Sequence, residues 1–92
     1  MIASFKSKRL QKCHEADDYR GFRPDMHRKI RQILSVLDVM DDPRGAKVPY
    51  LHLHRLKGDR KEQWAVHVNK NYRITFRFAD GCVEDVDFED YH

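Results

Sequence analysis

The sequence lacks the features that mark several common protein classes. No apolar run approaches the length needed to cross a membrane, and the opening residues 1–6 have no apolar core of a signal peptide. Cysteine is scarce: Cys13 and Cys82 lie far apart and form no C-x-x-C motif. We therefore expect a cytoplasmic protein whose two thiols stay reduced.

Glycine and proline are also scarce, at four and three residues, and neither clusters into a linker. The chain has no internal repeat and no low-complexity tract. Its 92 residues lie near the lower end of the sizes that bury a self-sufficient core, and 40% of them are hydrophobic. These features predict a single domain over residues 1–92.

Charge is abundant, at 36% of residues, and it is unevenly distributed. Between Arg44 and Arg73 there are eight Lys or Arg residues against two acids, whereas after Arg77 there are six acids and no Lys or Arg. A basic middle can neutralise phosphates, and an acidic tail beside it can supply proton-transfer groups. Charge counts alone favour the alternative, a solvated ionic surface without a binding role.

Hydrophobic periodicity predicts two helices in the first half of the chain. Sparse apolar residues over residues 6–19 fit a weakly amphipathic helix. A clearer helix follows Asp25, which we assign as its N-cap. Its apolar residues recur at intervals of three and four: Met26, Ile30, Ile33, Leu34, Leu37 and Met40. Residues 41–45 are expected to end this helix.

Beyond Gly58 the apolar period changes to two, which predicts strands. The strands are expected at about 64–68, 72–78 and 82–88, with turns at 69–71 and 80–81 and a short edge strand at 2–5. Glu84 falls on the apolar face of the last strand, which indicates either edge exposure or a bulge. The sequence thus predicts an α+β fold, with two N-terminal helices packed on one face of a small antiparallel sheet.

The opposite face of the predicted sheet carries His67, Arg73, Thr75 and Arg77. A one-sided core leaves this face open to solvent, and a basic face suits a negatively charged polymer. A guanidinium such as that of Arg73 can grip a phosphate with two parallel hydrogen bonds. Arg73 can equally be the cross-strand partner of an acidic residue.

Two further groups of residues are candidates for chemistry. His52 and His54 lie on one side of an extended segment, but no Cys or Asp neighbours them, so we expect no metal and no cofactor. Surface histidines are the alternative. The cations Lys57, Arg60 and Lys61 surround Gly58 in a turn that can hold phosphates.

The chain ends Glu89-Asp90-Tyr91-His92, which brings three kinds of proton-handling side chain together, although chain ends are often frayed. Metal-free RNA cleavage needs a base for the ribose 2′-OH, cations for the phosphate charge and an acid for the leaving oxygen. The candidate residues include all three.

In combination, the motifs resemble those of the HigB toxins, a branch of the RelE superfamily, over the whole chain. They are Leu53-His54-Arg55-Leu56-Lys57-Gly58-Asp59-Arg60, Trp64, Asn71-Tyr72-Arg73-Ile74-Thr75-Phe76 and Glu89-Asp90-Tyr91-His92. The resemblance implies a RelE-like microbial ribonuclease-type fold and a bacterial type II toxin paired with a HigA-like antitoxin. It also implies that the toxin enters the A site of the ribosomal 30S subunit and cleaves mRNA there.

The resemblance also implies site residues: His54, Lys57, Arg73, Asp90, Tyr91 and His92, with Asn71 a lesser candidate. Arg73 is expected to stabilise the phosphate with Lys57 as its helper, and Asp90 and His92 to form the acid–base pair. Tyr91 would stack on a base or orient one, and His54 is the alternative to His92.

Binding to ribosomal RNA is expected to involve Lys57, Arg60, Lys61, Lys70 and Asn71. Relatives carry an extra arginine before the turn at 69–71, so either Lys70 substitutes for it or that contact is absent.

Three other functions compete with this prediction. A binding-only module would keep the fold without the reaction. A DNA-binding protein would explain the basic middle, but the sequence shows no helix-turn-helix pair. A metallohydrolase would need a ligand cluster beyond His52 and His54.

Overall fold

The computed structural model describes residues 1–45 and 51–90, which form two helices and an antiparallel sheet. The helices are α1 (Lys8–Ala16) and α2 (Pro24–Asp38), and the strands are β1 (His54–Arg55), β2 (Gln63–His67), β3 (Tyr72–Ala79) and β4 (Cys82–Asp90). The strand order is β1-β2-β3-β4, so each strand pairs with its neighbour in sequence. Short 3₁₀ turns lie at Pro43–Gly45 and Gly58–Arg60.

The two helices begin with different caps. The side chain of Ser7 accepts a hydrogen bond from the backbone N–H of Leu10, at 3.2 Å, and so caps α1. The prediction that Asp25 caps α2 is wrong: Arg23 holds that position and Pro24 is the first helical residue. Proline lacks a backbone N–H and has a fixed φ, so it favours the first helical position. The helix α2 therefore begins at Pro24, before the predicted cap Asp25.

The core lies between the helices and one face of the sheet, as the sequence predicts. Most of its fully buried members come from α1, α2 and the three long strands, and Leu51 joins them: Leu10, Ile30, Ile33, Leu37, Leu51, Val66, Ile74, Phe76, Val83 and Val86. Burial of each large apolar side chain contributes roughly 1.5–3 kcal/mol. The predicted α+β arrangement is therefore confirmed.

A β-bulge in β4 explains why Glu84 breaks the apolar alternation. Arg77 pairs with Glu84 and Thr75 with Asp87, so three steps along β4 oppose two steps along β3. Asp85 takes up the extra residue with a φ of 55°. As a result Val83 and Val86 both face the core although they are three residues apart.

The N-terminal segment lies beside this bulge. Instead of the predicted edge strand it forms two isolated parallel bridges, Ile2 with Val83 and Phe5 with Val86. The backbone N–H of Asp85 donates to the Ser4 hydroxyl at 2.9 Å. The first residues therefore stabilise the irregular part of β4.

Within the described ranges, neither helix is long and apolar enough to span a membrane.

The turn between β3 and β4 yields a prediction about stability. Asp80 and Gly81 have φ values of 52° and 78°, as the predicted tight hairpin requires. Apart from Gly81 and its two chain neighbours, no described residue has an atom within 4 Å of a Cβ added at Gly81. Gly81→Val should therefore lower the free energy of unfolding by about 1–2 kcal/mol through backbone strain alone. Gly81→Asn should cost less, because asparagine adopts this conformation more readily. Equal urea midpoints for the two variants would contradict this explanation.

Candidate functional site

The face of the sheet opposite the helices presents polar side chains in three rows. Directly opposite residues in antiparallel strands share a face, so the register defines the rows. They are His67–Arg73–Glu89, then His54–Ala65–Thr75–Asp87, then Gln63–Arg77–Glu84. The predicted basic residues of β2 and β3 do lie together, and acidic residues of β4 lie beside them.

The centre of this face is covered, which corrects the expectation that the whole face is open to solvent. Ala65 and Thr75 are 0% and 1% exposed. The Thr75 hydroxyl donates to Oε2 of Glu89 at 2.8 Å. The two short side chains form a floor, and the longer side chains of the neighbouring rows rise around it.

Glu89 joins two arginines above this floor. Its Oε1 accepts hydrogen bonds from Nε and Nη2 of Arg73, at 3.3 and 3.1 Å, and from Nη1 of Arg60 at 2.9 Å. Nη2 of Arg60 also pairs with Oε2 of Glu89. Residues Arg60, Arg73, Thr75 and Glu89, here called the Glu89 network, hold two positive charges against one negative charge.

The network strongly favours the ionised form of Glu89. The hydrogen bonds from Arg60 make the largest contribution, and those from Thr75 and Arg73 add to it, so that the pKa of Glu89 falls from 4.5 to about 2 despite its burial. The side chains of Arg73 and Glu89 are only 17% and 19% exposed. The low exposure makes this pair stronger than an ordinary surface ion pair.

The three cations of the turn around Gly58 have different surroundings. Arg60 bends towards the sheet, where its Nε also donates to Oε1 of Gln63 at 2.5 Å. Lys57 and Lys61 are exposed. The structure thus brings Arg60 together with Arg73, while the side chains of the two lysines lie at the surface.

Three histidines extend this polar face towards β1. The His67 ring stacks on the His52 ring at a centroid distance of 5.1 Å and contacts the edge of the His54 ring at 5.6 Å. Nδ1 of His54 lies 2.7 Å from the carbonyl oxygen of His52. Burial, followed by the nearby imidazoles of His52 and His54, lowers the pKa of His67. Among the residues that the structure describes, no three His, Cys, Asp or Glu side chains are placed to hold a metal ion together.

The remaining predicted site residues lie at the ends of the strands. Lys70 is exposed in the β2–β3 turn, where the backbone N–H of Asn71 donates to Oδ1 of Asn69 at 2.9 Å. Asp90 ends β4 opposite Tyr72, which places it on the other face from Arg73. Tyr91 and His92 lie outside the described residues.

Sequence reasoning assigned no role to two of these residues, Glu89 and His67, although it placed His67 on the same face as Arg73. A signal for Glu89 was present, because an acidic cross-strand partner was the alternative for Arg73. No sequence pattern indicates that Arg60 and Glu89, 29 positions apart, meet across the sheet.

Several solved structures share this fold. The YoeB/ParE toxin from Agrobacterium tumefaciens superposes with a TM-score of 0.63 at 14% identity, and the match covers 100% of both chains. YafQ from Escherichia coli gives 0.61 at 12%, with 98% of this chain and 93% of that chain covered. A chain of the YoeB–YefM complex from Staphylococcus aureus gives 0.62 at 15%, with 100% and 98% covered. At these identities the likeness shows the α+β fold alone.

The sequence comparison is more specific. The chain belongs to the HigB-like toxin family, because the model of that family, a RelE-like toxin of the type II toxin–antitoxin system HigB, matches residues 3–92. Endoribonuclease HigB of Proteus vulgaris is 35% identical over 92 residues, which are 100% of both chains. The resemblance seen in the sequence motifs is therefore confirmed.

The low pKa of Glu89 predicts an acid-sensitive contribution to stability. Its folded-state pKa of about 2 lies below the ordinary 4.5, so this stabilisation is complete above pH 4.5 and is lost as pH falls through 2. Glu89→Gln should lower the free energy of unfolding at pH 7 by on the order of 2 kcal/mol and flatten its decrease below pH 4.5.

Glu62→Gln is the matched control, because Glu62 also pairs with an arginine, Arg77, but is 64% exposed. Glu62→Gln should lower the free energy of unfolding at pH 7 by well under about 1 kcal/mol. Urea unfolding of both variants at a series of pH values measures the two effects. The Glu89 network would have no special role if both variants showed the same dependence on pH.

Proposed function

We propose that this toxin is an endoribonuclease that cuts mRNA in the A site of the 30S ribosomal subunit and thereby stops translation. The family supports a toxin of a type II system, and the name of the Proteus vulgaris relative supports RNA cleavage. The structural observation that carries the proposal is the Glu89 network. Two guanidinium groups lie on a sheet face beside histidines, and this combination suits a phosphodiester.

The reaction is a transesterification within the RNA. A base removes the proton of a ribose 2′-OH, the oxygen attacks the adjacent phosphorus, and the bond to the 5′-oxygen of the next nucleotide breaks. An acid returns a proton to that 5′-oxygen. The products are a 2′,3′-cyclic phosphate and a free 5′-OH, and no step requires a metal ion.

Arg73 is assigned to the negative charge that grows on the phosphate oxygens. It is anchored in the middle of the sheet by Glu89 and therefore keeps its position when RNA arrives. Preorganised charge of this kind is worth about 3–4 kcal/mol in a transition state. Lys57, which is exposed before the 3₁₀ turn, assists from the solvent side.

The proton transfers are assigned to residues that the sequence singled out. His54 shares the face of the Glu89 network, which favours it as the base. The sequence left open which of the proton-transferring residues is the base. Protonation of the leaving oxygen is assigned to His92. Asp90, its predicted partner, ends β4 on the other face from Arg73 and is assigned no proton transfer. Tyr91 is assigned to stacking on a base of the codon.

The ribosome and an antitoxin are the proposed partners. The site offers few groups, so an RNA geometry held from outside is needed to align the 2′-OH with the phosphorus. The exposed lysines Lys57, Lys61 and Lys70, together with Asn71, would contact ribosomal RNA. A HigA-like antitoxin is expected because the family belongs to type II toxin–antitoxin systems.

The first experiment compares free mRNA with mRNA bound to programmed ribosomes. Purified toxin should cut ribosome-bound mRNA within the A-site codon and cut the same RNA poorly when it is free. The fragments should carry a 2′,3′-cyclic phosphate and a 5′-OH, which end-specific ligation and phosphatase treatment detect. Equal cutting of free RNA would refute ribosome dependence, and a 5′-phosphate end would refute the mechanism.

Arg73 and Arg77 form a matched pair for the second experiment. They lie on the same face of β3, but Arg77 pairs with the exposed Glu62 and not with Glu89. Arg73→Ala should lower the cleavage rate on ribosomes by about a hundredfold or more, because one transition-state donor is lost. Arg77→Ala should stay within a few fold of the unmodified protein.

Arg73→Lys keeps the charge but loses the paired hydrogen bonds, so its cleavage rate should lie between those of the other two. Circular dichroism of each variant reports whether the fold survives. If a folded Arg73→Ala protein cleaves mRNA at the normal rate, Arg73 serves only as a structural ion-pair partner of Glu89.

A further inference from the structure

The backbone around His52 selects one form of the His54 ring. His52 has a φ of 53°, and this left-handed conformation brings its carbonyl oxygen to 2.7 Å from Nδ1 of His54. A carbonyl oxygen only accepts hydrogen bonds, so Nδ1 must carry the proton. In neutral His54 the lone pair then lies on Nε2, and this nitrogen is left to accept a proton.

The ring of His67 contacts both partners of this hydrogen bond. It stacks on His52 with an interplanar angle of 28° and meets the edge of His54 at 79°. Offset-stacked and edge-to-face contacts are the arrangements that aromatic rings prefer. His67 lies on β2 directly across from Arg73, so a regular strand fixes its position relative to the Glu89 network.

We infer that His67 is a positioning residue, whose ring holds His54 with Nδ1 bound to the His52 carbonyl and Nε2 available to take the proton of the RNA 2′-OH. This inference rests on the proposed function, in which His54 is the base. His67 itself transfers no proton in this account. The role that we infer depends on the aromatic shape of the His67 ring.

If the shape of the ring is what matters, His67→Phe and His67→Ala should behave differently. Phenylalanine keeps a flat ring of similar size without a titratable nitrogen, whereas alanine removes both contacts. A proton-transferring or ligand-binding role for His67 would make the two variants equally defective. A positioning role predicts that phenylalanine restores what alanine loses.

The tautomer of His54 provides a test that does not depend on RNA cleavage. Two-bond ¹H–¹⁵N correlation spectra of the full-length toxin, recorded above pH 7.5, distinguish a protonated Nδ1 from a protonated Nε2. We expect the Nδ1–H form in the unmodified protein and in His67→Phe, and a mixture of both tautomers in His67→Ala. An unchanged Nδ1–H signal in folded His67→Ala would overturn the inference.

The matching kinetic test uses programmed ribosomes. His67→Ala should lower kcat by about tenfold with little change in KM, because a displaced base slows the chemical step more than binding. His67→Phe should stay within about twofold of the unmodified protein, again because orientation is kept. A His67→Phe protein as slow as His67→Ala would overturn the inference.

The two measurements distinguish the inference from the function on which it rests. Unmodified toxin that leaves ribosome-bound mRNA intact would refute the proposed function, whereas the NMR spectra would still decide whether His67 holds His54. Should His67→Ala fail to fold, His67→Leu provides a second variant that fills volume without a flat ring. It should show mixed tautomers, and a pure Nδ1–H signal in it would count against the inference.

Discussion

Packing of the helices against one face of the sheet determines where every strand side chain lies. The alternation of β-strands sends Val66, Ile74 and Phe76 towards the helices, and therefore sends the residues between them to the opposite face. The bulge at Asp85 extends this rule to β4, because it returns Val86 to the core and places Glu89 across from Arg73. The polar face is thus a geometric consequence of the core.

The polar face concentrates positive charge around a shared carboxylate. Arg60 and Arg73 would repel one another if they were held close together alone. Glu89 accepts hydrogen bonds from both and leaves the Glu89 network with one excess positive charge. Because the carboxylate also binds Thr75 on the floor of the sheet, the guanidinium groups are fixed before any phosphate arrives.

Most of the fold was predictable because its signals are local. Apolar spacing marked α2, alternation marked β2 and β3, and the Asp80–Gly81 pair marked the hairpin. The start of α2 was misplaced because Pro24 outweighed the capping tendency of Asp25. Local preferences of this kind compete within two or three residues, so element boundaries are less certain than the elements.

The sequence by itself determined the fold class, the family resemblance and the types of residue available for chemistry, since these depend on periodicity and motifs. Only the tertiary structure decided which side chains meet. Arg60 reaches Glu89 across the sheet, the His67 ring contacts the rings of both His52 and His54, and Asp90 faces away from Arg73. The physical reason is that strand register and a one-residue bulge set these contacts, and both emerge from packing between segments that are distant in sequence.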